Sequence, residues 1–182
     1  EMLDLPVLAD NDANGQTLGE YRFGAGKGID PMVFMTVSTG VGGGMVFDGR
    51  LYRGATGTAG EFGHMIVDAT GGQRCSCGNR GCLEAVASGR ALAHALSTSG
   101  STLSRPSEVV ALAKAGDVTA IQAIRQAGRD LGEVLTVCVS LMNPSTIVIG
   151  GTMAQAAEHL VAGVREVGYA RSIPLSTEPP PI

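Results

Sequence analysis

Apolar positions change their spacing several times along this chain, and each change predicts an element. Leu5 to Ala9 (LPVLA) and Met32 to Ser38 (MVFMTVS) are short, nearly unbroken apolar runs, the pattern of strands buried on both faces. The first ends in Asp10-Asn11-Asp12-Ala13-Asn14, where Asn14 or Asp12 is expected to cap a helix through Gln16, Leu18 and Glu20. The second feeds Thr39-Gly40-Val41-Gly42-Gly43-Gly44, followed by Met45 to Phe47, Asp48-Gly49 and Arg50 to Tyr52. Asp-Gly between two such runs signals a two-residue hairpin turn, so the glycines before it are expected to join paired strands. Leu83 to Leu96 has helical composition, Ser107 is placed to cap SEVVALAKAG, and Asp117 to cap a long helix from Val118 to Met142. On that helix Ile121, Ile124, Gly128, Leu131, Leu135, Cys138 and Met142 recur at steps of three and four, which makes one buried face. Asn143-Pro144 ends it. Ser145 to Ile149 then reads as a buried strand, and Gly150-Gly151 turns it into a helix from Met153 to about Val167. Strands alternating with helices predict an α/β fold.

Composition narrows the class. The 182 residues are 44% hydrophobic, and the mean hydropathy of +0.19 is that of a folded unit with a real core, spanning 1–182. The net charge of −4 carries no basic run, which argues against direct binding of nucleic acid or an anionic membrane by this segment. The sequence has neither a signal peptide nor a long apolar span, so a reducing cytoplasm is the expected location. The 27 glycines are about twice the usual fraction and gather beside polar residues, where backbone approaches ligands closely. The chain opens just before its first strand and stops in STEPPPI, as a piece of a longer protein would.

The densest chemistry lies in Gly60 to Glu84, GEFGHMIVDATGGQRCSCGNRGCLE. Cys75, Cys77 and Cys82 with His64 are the ligand set of a closed tetrahedral zinc site, and glycines at 78 and 81 let so short a loop turn its sulfurs inward. Asp68 is a nearer oxygen that spacing alone leaves open as the fourth ligand. Cys75 and Cys77, separated by one residue, are poorly placed for a mutual disulfide, and Cys138 lies in an apolar run as a small core residue. Glu61 and Glu84 bracket the cluster and are surplus to the metal. The Thr39 loop lacks the GK[ST] of a P-loop and the helix of a dinucleotide fingerprint; it is either an anion nest or a glycine-rich turn. Gly150-Gly151 is either a ligand-binding strand–helix junction or a tight turn. His94 and His159 stand without chemical company and read as helix-surface and structural residues.

Four segments in order (NDAN, STGVGGG, GEFGH with CSCGNRGCLE, and IVIGG) resemble the ROK family, the bacterial sugar kinases and sugar-responsive repressors. The resemblance implies a truncated actin-like ATPase (ribonuclease H-like) fold, with a mixed sheet, flanking helices and a zinc-binding loop. It implies ATP-dependent phosphorylation of a hexose in a glucokinase-like manner, with Asp12 as general base. Asn11, Glu61, His64 and Glu84 would hold the sugar. Thr39, Gly40 and Gly42 would meet the phosphates, and Gly150 and Gly151 the adenosine, of ATP with Mg2+. A structural Zn2+ on His64, Cys75, Cys77 and Cys82 would order the loop carrying the two glutamates. The family also implies a homo-oligomer and offers an alternative, a repressor whose DNA-binding domain lies outside this chain. No N-terminal DxGGT motif occurs here, and the helices closing the nucleotide lobe are not evident, so the chain is expected to be mainly the sugar- and zinc-binding lobe and inactive by itself.

Overall fold

A computed structural model describes residues 5, 9–97, 102–171 and 182. The strand expected at Leu5 to Ala9 lies outside the described residues except for its two ends. Helix α1 (Asp12–Phe23) follows, capped by Asn11, whose Oδ1 accepts the Ala13 N–H at 2.8 Å. The expected caps, Asp12 and Asn14, are inside the helix instead. Asn11 alone keeps the extended backbone a cap needs (φ −64°, ψ 140°), and Asn14 is buried.

The sheet is built from β1 (Met32–Val37), β2 (Val41–Phe47), β3 (Arg50–Leu51) and β4 (Thr146–Gly150), in the order β3-β2-β1-β4. β1 pairs antiparallel with β2 and parallel with β4, so the sheet is mixed, as expected. Asp48 and Gly49 both have positive φ (50° and 72°), the hairpin turn that Asp-Gly signals.

Gly42, Gly43 and Gly44 do not link the strands; they lie within β2. The reason is packing on both faces. A Cβ on Gly42 would stand 3.1 Å from the Ala13 Cβ of α1, one on Gly44 would run into Thr17, and one on Gly43 would meet the Phe62 ring at 2.6 Å. The glycines let a helix and an aromatic ring rest directly on the strand. The turn proper is Ser38-Thr39-Gly40, closed by Ser38 N–H donating to Gly40 O at 2.9 Å.

The expected single helix from Leu83 to Leu96 is two, α2 (Leu83–Ala87) and α3 (Gly89–Leu96). Ser88 between them is extended (ψ 153°) and caps α3 by accepting from Ala91 N–H at 3.1 Å. Gly89 N–H then donates to Ser38 O at 2.8 Å, tying the break to the end of β1. α4 (Pro106–Lys114) starts one residue before the expected Ser107 and is capped at Arg105; proline fits a first helical position because its missing N–H is not needed there. Asp117 caps α5 (Val118–Met142) as expected, accepting from Ala120 N–H at 2.8 Å. After β4 a 3-10 turn, Thr152–Ala156, leads into α6 (Ala157–Arg171).

The main core lies between one sheet face (Val33, Met35, Val37) and the helices α2 to α6, with Ile124, Leu131 and Leu135 of α5 and Leu160 of α6 fully or nearly fully buried. Each such side chain contributes about 2 kcal/mol on leaving water. The other face carries Met32, Phe34, Val46 and Val148 against Tyr21 of α1. On α5 the expected stripe is buried at Ile124, Gly128, Leu131, Leu135 and Cys138, and partly buried at Ile121 and Met142.

Candidate functional site

α1, the C-terminal ends of β1 and β4, and the Gly60 to Glu84 segment meet around a cleft of about 500 Å³. Asn11, Asp12, Thr39, Gly40, Gly42, Glu61, His64, Glu84 and Gly151 all line it. Gly150 does not: its α-carbon faces the Phe34 ring, which a Cβ would approach to 2.8 Å.

Asp12 opens α1 and is exposed in the cleft, with Oδ1 accepting the Ala13 N–H at 2.9 Å. The cap bond occupies the Asn11 carbonyl. Its amide donors have no protein partner among the described residues. Asp10, just before, fixes this corner: its carboxylate accepts from Asn11 N–H at 2.9 Å, Asn14 Nδ2 at 2.8 Å and Arg53 at 2.6 Å. Those bonds, first the one from Asn14 and then the one from Arg53, bring its pKa down to about 2.

The opposite wall is a loop pinned at both ends. Leu83 N–H donates to Met65 O at 2.9 Å and Val67 N–H to Gly81 O at 2.9 Å, so the segment returns beside its own start. Gly81 has φ +73° and passes against the Asp68 carbonyl, where no side chain fits. The ligand atoms of His64, Cys75, Cys77 and Cys82 all lie within 4.8 Å of one another. His64 Nδ1 is 3.6 Å from Cys75 Sγ, and Cys77 Sγ is 3.6 Å from Cys82 Sγ. Zinc–sulfur bonds of about 2.3 Å at tetrahedral angles would set sulfurs about 3.8 Å apart, so the cluster fits such an ion. Asp68 is outside it, its Oδ1 accepting from the Thr70 N–H at 2.9 Å and the Thr70 hydroxyl at 2.6 Å. A backbone hydrogen bond from Asn79 holds the Cys77 thiol below its ordinary pKa, whereas burial pushes Cys82 up to about 12. A cation is the natural means of keeping a thiolate at so buried a sulfur.

With Nδ1 toward the sulfurs, the His64 ring turns Nε2 toward Glu61, 3.8 Å from Oε2. Glu84, in the first turn of α2, is largely buried; its Oε2 accepts from Val41 N–H at 3.2 Å and its Oε1 from the Ser76 hydroxyl at 3.3 Å. Gly40 lies so close that a Cβ there would come within 2.6 Å of Glu84 Oε2. The glutamate of the loop thus touches the turn that follows β1.

Four polar cleft residues escaped the sequence reading, Gln16, Thr36, Ser38 and Thr152, as did the apolar Ala13 and Val41. Ser38 and Thr152 share a hydroxyl hydrogen bond at 2.8 Å, joining the ends of the neighbouring strands β1 and β4. Thr36 and Ser38, two apart at the polar end of a strand, carried a usable signal, because alternate residues share a face.

The ROK family profile matches residues 1–170. The chain belongs to the ROK family. Its fold is accordingly the actin-like ATPase fold, in line with its likeness to a solved ROK family glucokinase from Streptomyces griseus in complex with glucose and AMPPNP. That likeness has a TM-score of 0.78 and 35% identity, over 90% of this chain and 57% of the other. A glucokinase from Halalkalibacterium halodurans is 36% identical over 96% of this chain and 57% of its own length. A xylose repressor from Bacillus subtilis is also 36% identical, over 91% of this chain and 42% of its own length. The ROK chain thus spans about half the length of the curated relatives it matches. No helix among the described residues is long and apolar enough to cross a membrane.

Proposed function

We propose that this chain forms the sugar side of a cytoplasmic, ATP-dependent hexose kinase. The observation that carries the reading is Asp12, exposed at the tip of α1 in one cleft with Asn11, Glu61, His64 and Glu84 and with the Thr39-Gly40 turn. Phosphoryl transfer asks mainly for positioning, plus a carboxylate that takes the proton of the attacking hydroxyl. In this reading an Asp12 oxygen accepts that proton as the hydroxyl oxygen bonds to the γ-phosphorus and ADP leaves. The free Asn11 amide donates to the sugar, and the carboxylates of Glu61 and Glu84 accept from its other hydroxyls. His64 donates or accepts through Nε2 while Nδ1 stays with the sulfurs. The Thr39 turn and Gly151 bracket the phosphates and nucleoside of ATP, with Mg2+ as its counterion.

A zinc ion would be held by His64, Cys75, Cys77 and Cys82, and would supply order to the loop rather than Lewis acidity. Metal ligation at one ring nitrogen fixes the orientation of the other.

The test is ATP-dependent ADP release by the full-length, zinc-replete protein over a panel of hexoses and N-acetylhexosamines, beside Asp12→Asn. Turnover on a sugar, lost in the variant, supports the kinase. The 36% identity to a xylose repressor supports a second reading, a sugar-responsive repressor using the same cleft as a ligand switch. Sugar binding without turnover on any member of the panel is its expected result.

A further inference from the structure

Glu84 also borders a second groove, of about 280 Å³, between the Cys75 loop and α3. Arg74 and Ser76 reach it from the loop, and Ser88, Arg90 and His94 from the start and length of α3. Arg74 and His94 have no ion pair among the described residues. Arg90 has one, with Glu84 at 3.6 Å, longer than a hydrogen bond, and its side chain is 60% exposed.

Isolated surface arginines usually need no ligand, since water solvates them well. Here the Arg74 guanidinium of the loop and the Arg90 guanidinium and His94 imidazole of α3 line one concavity, beside a single carboxylate, Glu84, in a chain whose net charge is −4. The Ser76 hydroxyl is taken up by Glu84 Oε1 and the Ser88 hydroxyl by the Ala91 N–H, so the donors the groove offers are the two guanidinium groups and the imidazole. Two forked guanidinium groups beside an imidazole offer several donors to one oxyanion, and a phosphate, with more acceptor oxygens than a carboxylate, can engage more of them.

We propose that this groove binds the phosphate of a small phosphate monoester through Arg74, Arg90 and His94. It is distinct from the cleft, and its occupancy does not depend on the sugar kinase reading.

The experiment is a calorimetric titration of the zinc-replete full-length protein with two probes, inorganic phosphate and glycerol phosphate, an ester carrying no hexose ring. Wild type is compared with the double variant Arg74→Gln, Arg90→Gln, with His94→Asn, and with Asp12→Asn. All three groove residues are exposed, so melting temperatures are expected to stay near the wild-type value. Binding is expected in the wild type and in Asp12→Asn, weakened roughly tenfold or more in the double variant and less in His94→Asn. Equal binding of both probes assigns the site to the phosphate group alone; binding of the ester only assigns part of it to the carbon skeleton. Failure of both probes to bind, binding unchanged in the double variant, or binding lost in Asp12→Asn would each overturn the proposal.

Discussion

Asp12 and Asp10 are neighbours with opposite tasks. Asp12 is an exposed carboxylate of the cleft, and Asp12→Asn keeps its size while removing its capacity to take a proton. Turnover is expected to fall roughly a hundredfold to ten-thousandfold, with sugar affinity changed only a few-fold; an equal loss of affinity in a binding titration would make it part of the grip instead. Asp10 is structural, and its pKa of about 2 lies below the ordinary 3.8. Its contribution to stability is therefore complete above the ordinary value and disappears as pH falls through about 2. Acid unfolding followed by circular dichroism should show Asp10→Asn less stable than wild type at neutral pH, with the gap closing between those two values. The cleft residues Asn11, Asp12, Glu61, His64 and Glu84 were legible because each lies inside a short, distinctive motif. The bonds that set them were not. Arg53 is 43 residues from Asp10 and Thr152 is 114 from Ser38, so no local window contains either pair.

At the level of elements, two glycines in neighbouring helices predict opposite outcomes for one substitution. Gly128 of α5 is at the crossing with α6, where a Cβ would run into the Leu160 carbonyl and stand 3.1 Å from Gly163 Cα. Ala there gains about 1 kcal/mol of helix propensity and loses more to overpacking, for a net cost of about 2 kcal/mol. Gly168 of α6 has nothing within 4 Å of the same position among the described residues, so Gly168→Ala is expected to stabilise by up to about 1 kcal/mol. Urea unfolding of both variants checks the pair, and two effects of the same sign would contradict the crossing geometry. Periodicity revealed α5 and its cap because both signals are local. It missed the break at Ser88, since LEAVASGRALAHAL has helical composition throughout and the interruption comes from Gly89 bonding to β1. The strand position of Gly42 to Gly44 was missed likewise, because glycine composition reads as loop until the helix lying on it is seen.

Across the whole molecule, the cleft has one wall set by the sheet and α1 and another carried by a loop with little apolar core of its own. Cys75 and Cys82 are buried, yet Cys77 and the residues around it are exposed. On the proposed zinc reading such a loop would depend on its metal, because a small polar segment cannot offset its ordering entropy by burial. Removing zinc with a chelator is expected to open 66–82 to proteolysis and to weaken sugar binding roughly tenfold or more, while the helical signal of α1 and α5 persists. Sugar affinity untouched by complete metal removal would detach the loop from the site.

The bond from Val41 N–H to Glu84 Oε2, 3.2 Å long, has a thermodynamic consequence. One carboxylate belongs at once to the proposed sugar wall and to the turn proposed for the phosphates. A sugar that settles Glu84 therefore also settles that turn. Linkage is reciprocal: the factor by which sugar sharpens nucleotide affinity must equal the factor by which nucleotide sharpens sugar affinity. Titrating each ligand with and without the other, using a non-hydrolysable ATP analogue, should return that factor twice, and Glu84→Gln should draw it toward one. On the kinase reading, discrimination among sugars would then be expressed partly in how tightly the protein holds ATP.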